Sequence, residues 1–208
     1  LGEHDAAAAT AQRTAAVSFA AIRRLRPGIT GPVAVVGTGR QARAHLRALA
    51  GFAPGCRVYV CGRDANRAGQ LAREATGHGL VAAPAFAPGD VAAAVAVAGL
   101  VITATSSRTP VIGDRVRDDA LVVAVGNYRA DASELPATLV RRSRLYVDAG
   151  VGARHEAGEL LGAGVDWSQV QALDDGGVWT RDPTRPAVFK SVGSAAWDLA
   201  WARAAWLP

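Results

Sequence analysis

The chain predicts an α/β protein built on a Rossmann-type, doubly wound parallel sheet, and three observations point there. Short β-branched runs alternate with alanine-rich helical stretches along most of the 208 residues, the pattern of a parallel sheet covered by helices on both faces. The first run, Val33-Ala-Val-Val36, drives into Gly37-Thr-Gly-Arg-Gln-Ala42 and then a helix, which is the strand, glycine turn and helix of a dinucleotide-binding unit. A second run, Arg57-Val-Tyr-Val-Cys61, ends in Gly62-Arg63-Asp64, about 20 residues past the glycines, where such folds read the adenosine ribose.

Taken in order, Asp5 to Arg26 reads as a long helix. Asp5 is its candidate cap, Val17, Ala21 and Leu25 recur at helical spacing, and Pro27-Gly28 stops it. Pro32 precedes the first strand, Val33–Val36. Arg40–Gly51 is the next helix, ended by Gly51 and Pro54, and Arg57–Cys61 the next strand. Asp64 then caps a helix through Glu74. A short extended piece covers Leu80–Ala82, Gly89-Asp90 opens a helix to Ala98, and Leu100–Ala104 is a strand. Ala120–Val125 and Arg144–Asp148 supply two more, separated by a helix Glu134–Arg141. Beyond them His155–Gly162 reads as helical, Val165–Pro186 as loop-rich, and Ser191–Trp206 as a helix. On that helix Trp197 and Trp201 are i,i+4 neighbours forming a core or interface stripe.

Composition narrows the function classes. The net charge of +5 comes from arginines, with Lys190 the one lysine. A nucleic-acid surface concentrates such charge among aromatics. Here only Arg23-Arg24-x-Arg26 and Arg141-Arg142-x-Arg144 cluster, both where helices end, so they read as caps and solvated faces and no nucleic-acid partner is expected. Cys56 and Cys61 lack C-x-x-C spacing and a histidine at metal spacing, which leaves reduced thiols in a cytoplasmic protein and no metal site. The longest uncharged run, Val91–Ser107, contains Gly99 and is too short to span a bilayer, so no membrane association is expected. No signal peptide is expected at the start. With no methionine anywhere, Leu1 reads as an internal position of a longer protein.

The residues that carry chemistry follow from the turn. Gly37 permits sharp reversal, Gly39 admits a pyrophosphate to backbone N–H groups, and Ala42 lets the helix pack close to the strand. Arg63 offers a guanidinium fork for a 2′-phosphate, which favours NADP over NAD, with Arg40 a second phosphate partner; simple exposure of both is the alternative. Thr103-Ala-Thr-Ser-Ser107 ends a strand in small hydroxyl residues that leave space beside a nicotinamide ribose, or that merely form a turn. Arg13, mid-helix among small residues, is exposed, paired or holding an anion. Glu156 and Glu159 share a helix face that suits acid/base work but reads better as solvated. No histidine has triad partners.

Several stretches resemble, in order, the ornithine cyclodeaminase/mu-crystallin family: Arg13-Thr-Ala-Ala-Val17, Gly37-Thr-Gly-Arg-Gln-Ala-Arg-Ala-His45, Thr103-Ala-Thr105, Ala124-Val-Gly126, Glu156-Ala-Gly-Glu-Leu160, and Val188-Phe-Lys-Ser-Val-Gly193 with Asp198. The likeness covers essentially the whole chain. It implies a connecting helix of a substrate/dimerisation domain over residues 1–27, an NAD(P)-binding Rossmann domain over 28–152, and a segment returning to the substrate/dimerisation domain over 153–208. A homodimer is implied for the full-length protein. Arg154–Asp166 and Phe189–Ala200 look like the bacterial Δ1-pyrroline-2-carboxylate/Δ1-piperideine-2-carboxylate reductases. That subgroup implies reduction of a cyclic imino acid to L-proline or L-pipecolate with NADPH, NADH being possible.

By position, the resemblance assigns Arg13 to the substrate carboxylate and Thr14 to the cofactor. Gly37, Thr38, Gly39, Arg40, Gln41 and Ala42 would hold the pyrophosphate and Arg63 the 2′-phosphate. Thr103, Ala104, Thr105, Ser106 and Val125 would meet the ribose and nicotinamide. Lys190, Val192 and Gly193 fall at family positions near cofactor or substrate. Cyclodeaminases carry an aspartate base two residues after the glycine matching Gly126, and here that residue is Tyr128. A phenol is protonated at neutral pH and does not replace a carboxylate base. Tyr128 therefore argues for imine reduction over ornithine cyclodeaminase, the rival enzyme, and a non-catalytic NADP(H)-binding protein stands as the rival from another class. The family's second carboxylate-binding arginine and its lysine proton donor match nothing in these residues. No catalytic residue is assigned, and cofactor binding with weak turnover is the expectation for the isolated chain.

Overall fold

A computed structural model describes residues 6–206 apart from 177 and 180, which leaves the expected cap Asp5 outside the described residues. Helix α1 (Ala6–Leu25) leads into β1 (Val33–Val36), α2 (Arg40–Phe52), β2 (Arg57–Cys61), α3 (Ala65–Gly77) and β3 (Val81–Ala85). Then come α4 (Pro88–Val97), β4 (Leu100–Thr103), β5 (Leu121–Ala124), α5 (Ala137–Arg142) and β6 (Arg144–Val147). Two short helices, α6 (Gly150–Glu156) and α7 (Gly158–Ala163), precede β7 (Val170–Ala172), β8 (Ala187–Lys190) and α8 (Ala195–Trp206).

All eight described strands form one parallel sheet in the order β3-β2-β1-β4-β5-β8-β6-β7. The chain reverses direction across the sheet between β1 and β4, and this switch point opens a crevice at the strands' carboxyl ends. Pleating divides the core. Val33 and Val35 face one layer with Ile22 and Leu25 of α1, Leu46 and Leu49 of α2 and Leu71 of α3. Ala34 and Val36 face the other, with Val95 of α4, Leu139 of α5 and Leu160 of α7. Both faces of β1, β4, β5 and β8 are buried, worth about 1.5–3 kcal/mol for each fully buried Val or Leu. Strand β3 pairs with β2 alone and is largely exposed, so the missing N–H of Pro84 costs no ladder bond there.

Four expectations need correction. Strand β8 was not foreseen: Ala187–Lys190 slots between β5 and β6, pairing Val122 with Val188 and Leu145 with Val188, so the sheet extends past residue 152. The expected helix over Glu134–Arg141 begins only at Ala137, because Pro136 is its N-cap and Glu134 is held elsewhere. The helix expected over Ser191–Trp206 begins at Ala195, since Ser191 to Gly193 form a loop bonded to Asp148. The stretch His155–Gly162 is broken at Ala157, where α6 ends and α7 starts.

In the first arginine cluster Arg23 and Arg24 are exposed in the last turn of α1, as expected, and Arg26 is not. Arg26 is 2% exposed beneath the amino ends of the strands, donating to the carbonyl of Asp119 at 2.6 Å and to Thr30 Oγ1 at 2.8 Å. Arg24 stacks over the Trp179 ring. Helices α1 and α2 are tied by His45, whose Nδ1 lies 2.8 Å from the Gln41 carbonyl and whose Nε2 lies 2.9 Å from Ser18 Oγ. A carbonyl only accepts, so Nδ1 carries the proton. Complete burial lowers the His45 pKa to about 4, and the ring is neutral at physiological pH.

Candidate functional site

The glycine turn opens the crevice. Gly37 has φ of 126°, and a side chain there would overlap the Ala104 carbonyl, so no other residue fits. Gly39 differs: a Cβ built on it meets nothing within 4 Å. It is the N-cap of α2, supplies no side-chain cap, and no acidic residue follows in the first turn. The first N–H groups of α2 therefore face open space with the positive end of the helix dipole behind them. Ala42 is fully buried against β1's layer, and Gln41 Oε1 is buried with no hydrogen-bond partner. An uncapped helix end with an orphaned acceptor fits a ligand carrying both phosphate and hydroxyl groups.

An open cleft of about 680 Å³ spreads from this turn, walled by Thr38, Gly62, Arg63 and Arg67 on one side and by Ala104 to Ser107 on the other. A smaller recess of about 340 Å³ adjoins it beside Arg40, Arg43 and Arg67. The Arg43 charge is answered by Glu74, at 2.6 and 3.1 Å. Arg40, Arg63 and Arg67 form no ion pair among the described residues. Asp64, between them in sequence, is consumed as the α3 cap, accepting from the N–H groups of Asn66 and Arg67. Arg67 was missed by sequence reasoning. Its signal was available, since it lies one helical turn beyond Arg63 at the start of α3.

The hydroxyl residues at the β4 exit are arranged differently from expectation. Thr103 is fully buried and donates to Glu134 Oε2 at 3.1 Å. Thr105 donates both its backbone N–H and its hydroxyl to Glu134 Oε1, each at 2.7 Å. The Gly126 N–H donates to Oε2 at 2.7 Å. These threonine protons are spent on a carboxylate, which leaves Ala104, Ser106 and the open side of Thr105 as the cleft wall. Gly126 has to be glycine, because a Cβ would overlap the Thr105 backbone. Val125 sits in the core beside the cleft rather than in its wall. Burial pushes the Glu134 carboxyl above the usual range, opposed by its hydrogen bonds from Thr105 and Gly126 and the nearby Lys190 charge.

Glu159 corrects a further expectation. It is 1% exposed rather than solvated; Oε1 accepts from the Glu134 N–H at 3.0 Å and Oε2 pairs with Lys190 Nζ at 3.0 Å. Lys190 is itself fully buried and donates to the Asn127 carbonyl at 2.5 Å, so its ammonium does not face the cleft. Sequence alone could not show that residues 134, 159 and 190 meet.

Arg13 lies outside the cleft wall. Its Nε donates to Asp198 Oδ1 of α8 at 2.7 Å, and its terminal nitrogens lie against Gly193, whose φ is 95°. A Cβ at Gly193 would come within 3.0 Å of Nη1. Asp148, unflagged in the sequence, fixes this loop: buried at the β6 exit, it accepts from Ser191 Oγ at 2.6 Å, from the Gly193 N–H at 2.8 Å and from the Val192 N–H at 3.1 Å. Thr14 is buried and donates to the Thr10 carbonyl of its own helix. Tyr128 is 68% exposed. Among the described residues no His, Cys, Asp and Glu side chains group to hold a metal ion, and no helix is long and apolar enough to cross a membrane.

Known proteins are similar to this chain in sequence and in fold. The Δ1-pyrroline-2-carboxylate reductase 2 of Burkholderia ambifaria is 43% identical over 201 residues, covering 97% of this chain and 63% of that protein. The ketimine reductase mu-crystallin of Mus musculus is 31% identical over 204 residues, covering 98% and 63%. The Δ1-pyrroline-2-carboxylate reductase of Thermococcus litoralis, solved in complex with NADH and L-proline, superposes with a TM-score of 0.82 at 27% identity, over 94% of this chain and 63% of that one. The chain thus spans less than two thirds of the length of these relatives. Residues 4–206 match the model of the ornithine cyclodeaminase/mu-crystallin family, and the chain belongs to that family.

Proposed function

We propose that this chain forms the cofactor-binding and carboxylate-anchoring part of a ketimine reductase. In this reading it reduces Δ1-pyrroline-2-carboxylate to L-proline and Δ1-piperideine-2-carboxylate to L-pipecolate. The observation that carries the reading is the uncapped N-terminus of α2, open beneath Gly39 and flanked by arginines with no carboxylate partner. The reductase relatives at 43% and 31% identity support the reaction class. When bound, the nicotinamide cofactor supplies the hydride.

The chain's own residues divide the remaining work. The α2 N–H groups with Thr38, Arg40 and Gln41 hold the pyrophosphate. Arg63 and Arg67 grip a 2′-phosphate, which makes NADPH the preferred cofactor. Arg13 presents its terminal nitrogens to the substrate carboxylate, and orientation of the C=N carbon is the main rate contribution of that contact. The imine nitrogen also requires a proton. Lys190 is not its source, since that ammonium is locked to Glu159. The exposed position of Tyr128 offers no carboxylate base, which disfavours ornithine cyclodeamination. Two free thiols suit the cytoplasm, and the half-exposed Leu199 of α8 suits burial in a homodimer.

The test is a titration of the chain with NADPH followed by an assay with pyrroline-2-carboxylate. Tight NADPH binding with imine reduction, however slow, supports the proposal. Ammonia release from ornithine without added reductant would replace it with cyclodeamination. Cofactor binding with no turnover of either imine, in any length of the gene product, would leave a binding protein.

A further inference from the structure

The fully buried charged side chains among the described residues separate to opposite ends of the sheet. Arg26 lies at the amino ends, bonded to Asp119 and Thr30. Glu134, Asp148, Glu159 and Lys190 lie at the carboxyl ends, around the exits of β4, β5, β6 and β8. That rim therefore holds three carboxylates against one ammonium. Each oxygen of Glu134 accepts a backbone N–H, from Thr105 and from Gly126, and these bonds with the nearby Lys190 charge favour its carboxylate form against the upward push of burial. Asp148 accepts from Ser191 and from the backbone N–H groups of Ala149, Val192 and Gly193. Arg13 adds nothing to the balance, since Asp198 answers its charge.

We propose that this buried negative rim makes the site discriminate between redox forms of its cofactor, with Glu134 as the residue that sets the preference. The inference rests on the nicotinamide-dinucleotide reading above. With the adenosine half on the Arg63 side of the switch point, the nicotinamide half crosses to the exits of β4 and β5. Thr105 is part of the cleft wall there, and the Glu134 carboxylate is bonded directly behind it. The nicotinamide ring is cationic when oxidised and neutral when reduced. A buried carboxylate one residue behind the wall stabilises the first form and not the second, and low local polarity keeps its field from being screened. The structure so favours the ring's charge state after hydride has left.

The experiment compares the dissociation constants of NADP+ and NADPH for the wild-type chain, Glu134→Gln and Asp148→Asn, with folding of each variant checked by circular dichroism. The expected result for Glu134→Gln is a selective loss of NADP+ affinity, roughly fivefold relative to NADPH. Asp148→Asn, farther from the β4 wall, moves the ratio the same way by less. If Glu134→Gln does not fold, the Asp148→Asn ratio decides. An equal weakening of both forms reveals a purely structural role and overturns the proposal, as does an unchanged ratio in a folded variant. Failure of the wild type to bind either form sinks the dinucleotide reading itself and this inference with it.

Discussion

Arg13 and Asp198, 185 positions apart, are joined by a 2.7 Å contact that uses only the Nε edge of the guanidinium. The pair links α1 to α8 and aims the two terminal nitrogens at the Gly193 loop. Replacing Arg13 by Met is expected to weaken L-proline binding about a hundredfold in the presence of NADP+, the loss of a bidentate charge-assisted contact. Asp198→Asn, which loosens the aim without removing the cation, is expected to cost about tenfold or less. Calorimetric titration with L-proline reads both. Unchanged proline affinity in Arg13→Met would remove this arginine from the substrate site.

Gly39 separates binding from stability. Its backbone lies in an ordinary extended region and an added methyl meets no atom. Gly39→Ala is therefore expected to change the unfolding free energy by no more than about 0.5 kcal/mol, while cofactor affinity falls at least tenfold because the methyl occupies the phosphate approach. Gly126→Ala gives the contrasting outcome, a loss of about 3 kcal/mol or more, since Thr105 backbone fills the space. Thermal melts beside NADPH titrations distinguish the two.

Arg63 and Arg67 should act together on one phosphate. Arg63→Asp is expected to weaken NADPH binding about tenfold or more while leaving NADH within about twofold. Arg67→Ala moves NADPH in the same direction by less. Equal losses for both cofactors would mean that neither arginine reads the 2′-phosphate.

His45 makes stability fall in acid. Its pKa is held at about 4 in the fold against 6.5 when unfolded, so the unfolded chain binds the extra proton between those values. The contribution is intact above the unfolded pKa and is lost as pH falls through that window, amounting to about 3 kcal/mol at its lower end. Urea midpoints measured across the window test this. His45→Gln should be less stable at neutral pH and flatter in its acid response; a wild-type midpoint that holds steady across the window would contradict it.

Much of the architecture was readable from local pattern. Strands β1 and β5 are uninterrupted apolar runs, β2 and β4 are apolar but for Arg57 and Thr103 at one end, and the cap at Asp64 and the stop at Pro54 mark the helices between. Strand β8 escaped because Ala187-Val-Phe-Lys ends in a lysine, and the partner that neutralises it, Glu159, is made close only by the sheet. Glu134 escaped for the same reason. Its four donors come from two separate strand exits, and a carboxylate near a proline looks in sequence like the start of a helix. The arginines split likewise. Arg63 was legible from its place after β2, whereas burial of Arg26 depends on Asp119 and Thr30 arriving beside it.

The place of β8 has a consequence for how the polypeptide is made. Synthesis delivers β1 to β5 early, then β6 and β7, and these two groups have no direct ladder between them. Until Ala187–Lys190 leaves the ribosome, β5 and β6 are both open edges with apolar side chains on two faces. Assembly must end with a late wedge closing a divided sheet, a long-range step that is slow and exposed to aggregation. Truncation just before Pro186 should therefore yield two unjoined lobes that bind chaperones avidly, while ending the chain shortly after Lys190 allows the sheet to close.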